Sequence, residues 1–151
     1  MNVYRISKSK YKNDLEGIGA KIAGGRWNNI GIACIYTSES RALAVLAYAA
    51  NIELDLMPRA LHMTTCEIPE KEFYTFEEKD FPGDWNMMPS PQSTKDFGSI
   101  YLKDINILGI KVPSTIIPDE FNYLINPASK ILSTITILES KDYVFDTRVK
   151  S

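Results

Sequence analysis

Gly24-Gly25-Arg26-Trp27-Asn28, followed after Gly31 by the run Ile32-Ala33-Cys34-Ile35-Tyr36-Thr37-Ser38, is the stretch on which the reading of this chain turns. Two glycines let the backbone bend sharply and approach a bound group closely. An arginine directly after them offers a planar fork of N–H donors to phosphate oxygens. The same residues also fit a second reading, with Arg26 paired to a structural carboxylate and Trp27 in the core. Ile32–Thr37 is short and apolar, as expected of a buried strand, and Ser38 or Ser40 would cap a helix running to about Asn51. Along that helix Leu43, Leu46, Ala47 and Ala50 fall at i, i+3, i+4 and i+7, which predicts one inward face with Ala47 on it.

Working outward, Val3–Ile6 is a short β-prone run, and the polar stretch Ser7–Asp14 reads as a loop. A charged residue inside that run, Arg5, needs a reason: it lines a pocket or pairs with an acid. The glycines between Gly17 and Gly25 suggest a nucleotide loop but fail the dinucleotide fingerprint, because its third glycine would fall at Ile22 and no buried strand leads in. A flexible loop is the better expectation. Downstream, Leu61–Ile68 and Glu72–Phe76 read as strands, and Glu77–Pro91 as an acidic, proline-containing loop. Ser93–Leu102 reads as a helix with Thr94, Phe97, Ile100 and Tyr101 along one side. Ile107–Val112 is a strand stopped by Pro113, the stretch around Pro118, Asn126 and Pro127 is loop-rich, and Ser133–Leu138 and Tyr143–Phe145 close the chain as strands. Short strands with a few helices between them predict an α+β fold with a mixed sheet, in a single domain over residues 1–151.

Composition narrows the function. Of 151 residues, 44% are hydrophobic and 24% charged, which is ordinary for a folded globule. Seventeen Lys+Arg against nineteen Asp+Glu give a net charge of −2, so the chain lacks the basic footprint of a direct nucleic-acid binder. Cys34 and Cys66 show no CxxC spacing and share the chain with a single histidine, His62, so no metal site is expected. His62, on an alternating strand, reads as a surface or structural histidine, and Asn122 and Asn126 as turn caps. No apolar run reaches the roughly 18 residues of a membrane span, and a cytoplasmic location is expected.

Several motifs in order then carry a resemblance. Tyr4-Arg5-Ile6, Gly19-Ala20, Gly24-Gly25-Arg26-Trp27-Asn28, Gly31, Tyr36-Thr37-Ser38 and Ala42-Leu43-Ala44-Val45-Leu46 resemble the N-terminal half of a RES domain. Val112-Pro113-Ser114, Asn122-Tyr123-Leu124-Ile125-Asn126-Pro127 and Phe145-Asp146-Thr147-Arg148 resemble its C-terminal half, so the likeness spans nearly the whole chain. The RES-domain toxins are NAD-consuming members of toxin–antitoxin pairs, and their fold resembles that of ADP-ribosyltransferase toxins.

The resemblance implies a site. Its arginine corresponds to Arg26, its serine to Ser114 and its active-site tyrosine to Tyr36, with Trp27 and Asn28 beside the substrate. The glutamate does not carry over: Ala47 stands in its place. Glu39 and Glu53 are the nearest carboxylates, and at about 100° per residue neither falls at that position of the helix. The alanine is either a natural loss or an introduced inactivation, and the otherwise intact motifs favour the second. The resemblance further implies NAD as substrate without a metal, and cleavage of the nicotinamide–ribose bond by hydrolysis or phosphorolysis. It implies an Xre-like helix-turn-helix antitoxin as partner, DNA only through that antitoxin, and self-association into a homodimer. Two other outcomes stay open on this reading: a non-catalytic module that binds NAD or the antitoxin, and an ADP-ribosyltransferase acting on a protein.

Overall fold

The computed structural model describes residues 1–53, 56 and 60–150, and an apolar run or an alternation marks several of its strands in the sequence, Ile35–Ser38, Leu61–Glu67 and Gly109–Pro113 among them. The strands are β1 (Asn2–Lys8), β2 (Ile35–Ser38), β3 (Leu61–Glu67), β4 (Phe73–Tyr74), β5 (Gly109–Pro113), β6 (Phe121–Ile125) and β7 (Thr136–Tyr143). They form one seven-stranded sheet in the order β4-β5-β6-β2-β1-β3-β7. Only β4 and β5 run parallel, so the sheet is mixed and the fold is α+β. No helix among the described residues is long and apolar enough to cross a membrane.

The two faces of the sheet bury different clusters. On one face Val3, Ile35, Cys66, Tyr123 and Ile125 pack together. On the other, Ile6, Leu61 and Met63 lie under helix α2 (Arg41–Ala50), and Trp27, Cys34, Ile110, Val112 and Leu124 lie with Leu102 of helix α3 (Gln92–Leu102). Ser40 is the N-cap of α2: its backbone is extended at φ −138° and ψ 158°, and its Oγ accepts the Leu43 N–H at 3.0 Å.

Several expectations change. The buried residues of α2 are Leu43, Ala44 and Ala49, while Leu46 and Ala47 are half-buried and Ala50 is exposed. The helix is apolar almost all round, so periodicity could not select a face. Residues 17–24 are not a loop: α1 (Ile18–Ala23) forms there, bracketed by Gly17 and Gly24 at φ 63° and 73°. On α3, Ile100 is 60% exposed and the buried positions are Thr94, Gly98, Ser99 and Leu102. β6 occupies a stretch expected to be loop, and β7 is a single strand where two were expected. Strand β1 extends to Lys8, beyond the predicted Ile6.

Candidate active site

On the face covered by α2 and α3, strand register lines up four side chains in one row. Val112 on β5 pairs with Asn122 on β6, Asn122 with Ser38 on β2, and Ser38 with Tyr4 on β1. Tyr36, two residues before Ser38, points from the same face. Helix α2 packs over β1 and β2 and α3 over β5, so β6 runs between them.

The segment 24–29 is fastened to α3. Lys95 Nζ donates to Gly25 O at 2.6 Å, Asn29 N–H to Ser99 Oγ at 2.9 Å and Asn29 Nδ2 to Asp96 Oδ1 at 3.0 Å. Gly98 makes the approach possible, since a Cβ there would lie 2.0 Å from the Trp27 carbonyl oxygen. Trp27 is 3% exposed, stacked on Trp85 at 6.2 Å between ring centroids and edge-on to Phe81 and Phe97. Asn28 is wholly buried: its Nδ2 donates to Ala20 O at 2.9 Å and Ile32 O at 2.8 Å, and its Oδ1 accepts the Tyr36 hydroxyl at 2.6 Å. The Tyr36 oxygen in turn accepts the Trp27 N–H at 3.0 Å. Burial pushes the Tyr36 phenol well above its usual range, so it stays protonated.

Arg26 projects from this braced loop. One guanidinium nitrogen donates to Trp85 O at 2.9 Å and Met87 O at 2.8 Å, and the other to the Met88 sulfur. No carboxylate among the described residues pairs with it, and partial burial lowers its pKa. The carboxylate-paired alternative for Arg26 therefore falls, while the core reading of Trp27 holds.

Ser114 follows β5 and is 2% exposed. Its Oγ accepts the N–H groups of Ile116 at 3.0 Å and Ile117 at 3.2 Å, and its own N–H donates to Glu120 O at 2.8 Å. Ala47 is half-buried on α2, and its carbonyl accepts Asn51 Nδ2 at 2.7 Å. The structure thus joins Arg26, Trp27, Asn28 and Tyr36 in one braced unit and sets Ala47 and Ser114 on neighbouring elements, with no hydrogen bond from either to that unit.

The other candidates sort clearly. Arg5 neither lines this site nor meets an acid: its guanidinium donates to Asp14 O and Tyr11 O, each at 3.0 Å, and to Lys12 O. By strand alternation it lies on the opposite face from Tyr4. His62 is buried against Asp142 at 3.0 Å. Asn126 ties Asp104 O and Ile107 O, each within 2.9 Å. Asn122 is not a turn cap. It is half-buried on β6 and donates to Ser38 Oγ at 3.0 Å and Thr37 O at 3.2 Å. Reading Phe121–Ile125 as a strand would have put Asn122 in the site row. Cys34 and Cys66 are buried in different clusters with thiols pushed up by burial, and no three His, Cys, Asp or Glu groups among the described residues could hold a metal.

Of two cavities, one borders the Arg26 loop and the other lies beyond Trp85, and neither is lined by Arg26, Tyr36, Ala47 or Ser114. One, of about 440 Å³, is lined by Gly24, Asn29, Gln92 and Lys95. The other, of about 390 Å³, is walled by Phe76, Phe81, Trp85, Lys111, Pro113 and Phe121. The second touches Trp85, one of the two residues whose carbonyls hold Arg26, and Pro113, the residue before Ser114.

Comparison with known proteins bears on the family and the fold. The chain is 34% identical over 152 residues to a protein named Toxin Res from Yersinia enterocolitica, covering 99% of this chain and all of that one. It is 33% identical over 140 residues to the Prs ADP-ribosylating toxin of a Sphingobium species, covering 91% and 87% of the two chains. The fold matches a chain in the crystal structure of the M. tuberculosis MbcT–MbcA toxin–antitoxin complex with a TM-score of 0.71 at 15% identity, over 95% of this chain and 84% of that one. The RES domain model matches residues 2–146, and the chain belongs to the RES domain family.

Proposed function

We propose that this chain is the toxin of a toxin–antitoxin pair, that it binds NAD through Arg26, and that with Ala47 in place of a glutamate it turns NAD over only feebly. The observation that carries this reading is the state of Arg26: a cation on a braced loop, held by two carbonyls and a thioether and, among the described residues, by no carboxylate. Phosphate oxygens bring a formal negative charge and a bidentate match to the guanidinium fork that two separate backbone carbonyls lack. The diphosphate of NAD therefore displaces the Trp85 and Met87 carbonyls. Tyr36 offers its ring face to the nicotinamide, because its hydroxyl is committed to Asn28 and Trp27. Ser114 Oγ accepts two N–H groups and keeps its proton to donate to substrate. Trp27 and Asn28 act from beneath, fixing the loop.

Breaking the bond from ribose C1′ to the nicotinamide nitrogen builds positive charge on the sugar, and a carboxylate at position 47 would stabilise it and orient water or phosphate for attack. Alanine supplies neither effect. The test is Ala47→Glu: NAD consumption in vitro and growth arrest in cells should return, and Ala47→Gln should restore neither. A folded Glu variant that leaves NAD intact would remove the catalytic reading and leave a binding module, which Ala47 by itself favours.

A second activity is supported by the Sphingobium relative's name: transfer of ADP-ribose to a protein. Labelled NAD given to the Glu variant in cell extract separates the two, since transfer leaves label on a protein band and hydrolysis or phosphorolysis does not. An antitoxin partner is supported by the toxin–antitoxin complex that shares the fold. We take it to be an Xre-like helix-turn-helix protein presenting a carboxylate to Arg26 in the cytoplasm, with DNA reached only through it, in keeping with the net charge of −2.

A further inference from the structure

The segment that covers Arg26 contains an exposed thioether in direct contact with the guanidinium. Met87 is 58% exposed and Met88 69%, whereas Met63 is 8% exposed. Met87 meets Arg26 only through its backbone carbonyl, while Met88 meets it through sulfur. On one side the segment is rooted by Phe81 and Trp85 in the aromatic cluster, and by the turn bond from Trp85 N–H to Pro82 O at 3.1 Å. On the other it runs into α3. Between these roots Arg26 supplies the side-chain hydrogen bonds that hold Trp85, Met87 and Met88 down.

A thioether is a weak acceptor, and a sulfoxide oxygen is a strong one. We infer that Met88 is an oxidation site whose sulfoxide latches Arg26 and closes the anion site. With hydrogen peroxide as oxidant, a sulfur lone pair attacks one peroxide oxygen, the O–O bond breaks, an S–O bond forms and water leaves, giving methionine sulfoxide. The new oxygen accepts from the same guanidinium nitrogen that now faces sulfur. The closed segment thereby exchanges a weak acceptor of the guanidinium for a strong one, and an incoming diphosphate must break that bond. Met87, equally open to peroxide and without a side-chain contact to Arg26, is the internal control. This inference rests on the reading of Arg26 as the diphosphate ligand.

The experiment is calorimetric titration of the full chain with ADP-ribose, before and after mild peroxide treatment, with the oxidised residue located by peptide mass spectrometry. Oxidation of the wild type should weaken binding about tenfold, the worth of one charge-assisted bond. Methionine sulfoxide reductases should restore it. Met88→Leu should bind ADP-ribose and lose the peroxide effect, Met87→Leu should keep it, and Met88→Gln, with an amide oxygen in place of the sulfoxide, should bind weakly without oxidation. Equal affinity of the reduced and Met88-oxidised proteins would overturn the inference while leaving the diphosphate reading standing. Failure of the reduced protein to bind ADP-ribose, or unchanged binding by Arg26→Ala, would overturn both.

Discussion

The Tyr36 hydroxyl donates to Asn28 Oδ1 at 2.6 Å while its oxygen takes the Trp27 N–H at 3.0 Å, so one phenol fastens both residues that follow Arg26. Removing that oxygen leaves a wholly buried amide oxygen and a backbone N–H without partners. Tyr36→Phe should therefore cost about 1–3 kcal/mol of stability. Urea unfolding should show a lower midpoint at an unchanged slope. A midpoint equal to wild type would mean that the phenol does not brace the loop.

The same phenol sets a pH dependence. Its pKa in the folded chain is raised well above the ordinary value of 10.0, chiefly by burial. A group raised on folding contributes stability that is fully present below its unfolded pKa and is lost as pH rises toward the folded one. Wild-type stability should thus fall as pH climbs above about 10, more steeply than that of Tyr36→Phe. Parallel stability–pH curves for the two proteins would exclude this role.

Arg26 should be intolerant of the conservative change. Lysine keeps the charge but loses the fork, so Arg26→Lys should weaken ADP-ribose binding by tenfold or more, at about 1.4 kcal/mol per tenfold. It should also speed backbone hydrogen exchange over Trp85–Met88, whose carbonyls and sulfur lose their donors. Unchanged exchange in that segment would show that Arg26 does not hold it.

Gly98 is the packing test. A methyl group there would meet the Trp27 carbonyl oxygen at 2.0 Å, and neither α3 nor the braced loop can yield freely. Gly98→Ala should destabilise by roughly 1–3 kcal/mol, as overpacked sites do, despite alanine's better helix propensity. Thermal unfolding at or above the wild-type midpoint would show that the loop and helix separate without cost.

How far the sequence revealed this depended on how each residue does its work. The strand before α2, expected over Ile32–Thr37 and found at Ile35–Ser38, the cap at Ser40, one of two serines expected there, and the helix itself were legible because a β-branched run and an N-cap are local signals. β7 was split because Glu139, Ser140, Lys141 and Asp142 belong to a strand at the edge of the sheet, where solvent removes the apolar alternation. β6 was hidden by the punctuation around it, and with it the placement of Asn122 beside Ser38. Arg26, Tyr36 and Asn28 were legible as a motif, but their bonding was not. Arg26 answers to Trp85 and Met87, far along the chain in a stretch that reads only as loop. Long-range partnership of that kind leaves no periodic trace.

Position 47 has a consequence of its own. It is half-buried on a helix already apolar almost all round, and the one side chain that bonds to it, Asn51, takes its backbone carbonyl. No hydrogen bond of the fold depends on the side chain there, so on the proposed reading the activity and the fold can be inherited separately. The alanine codons GCA and GCG each lie one base from a glutamate codon, so on that reading a lineage disarms or rearms the protein in a single step.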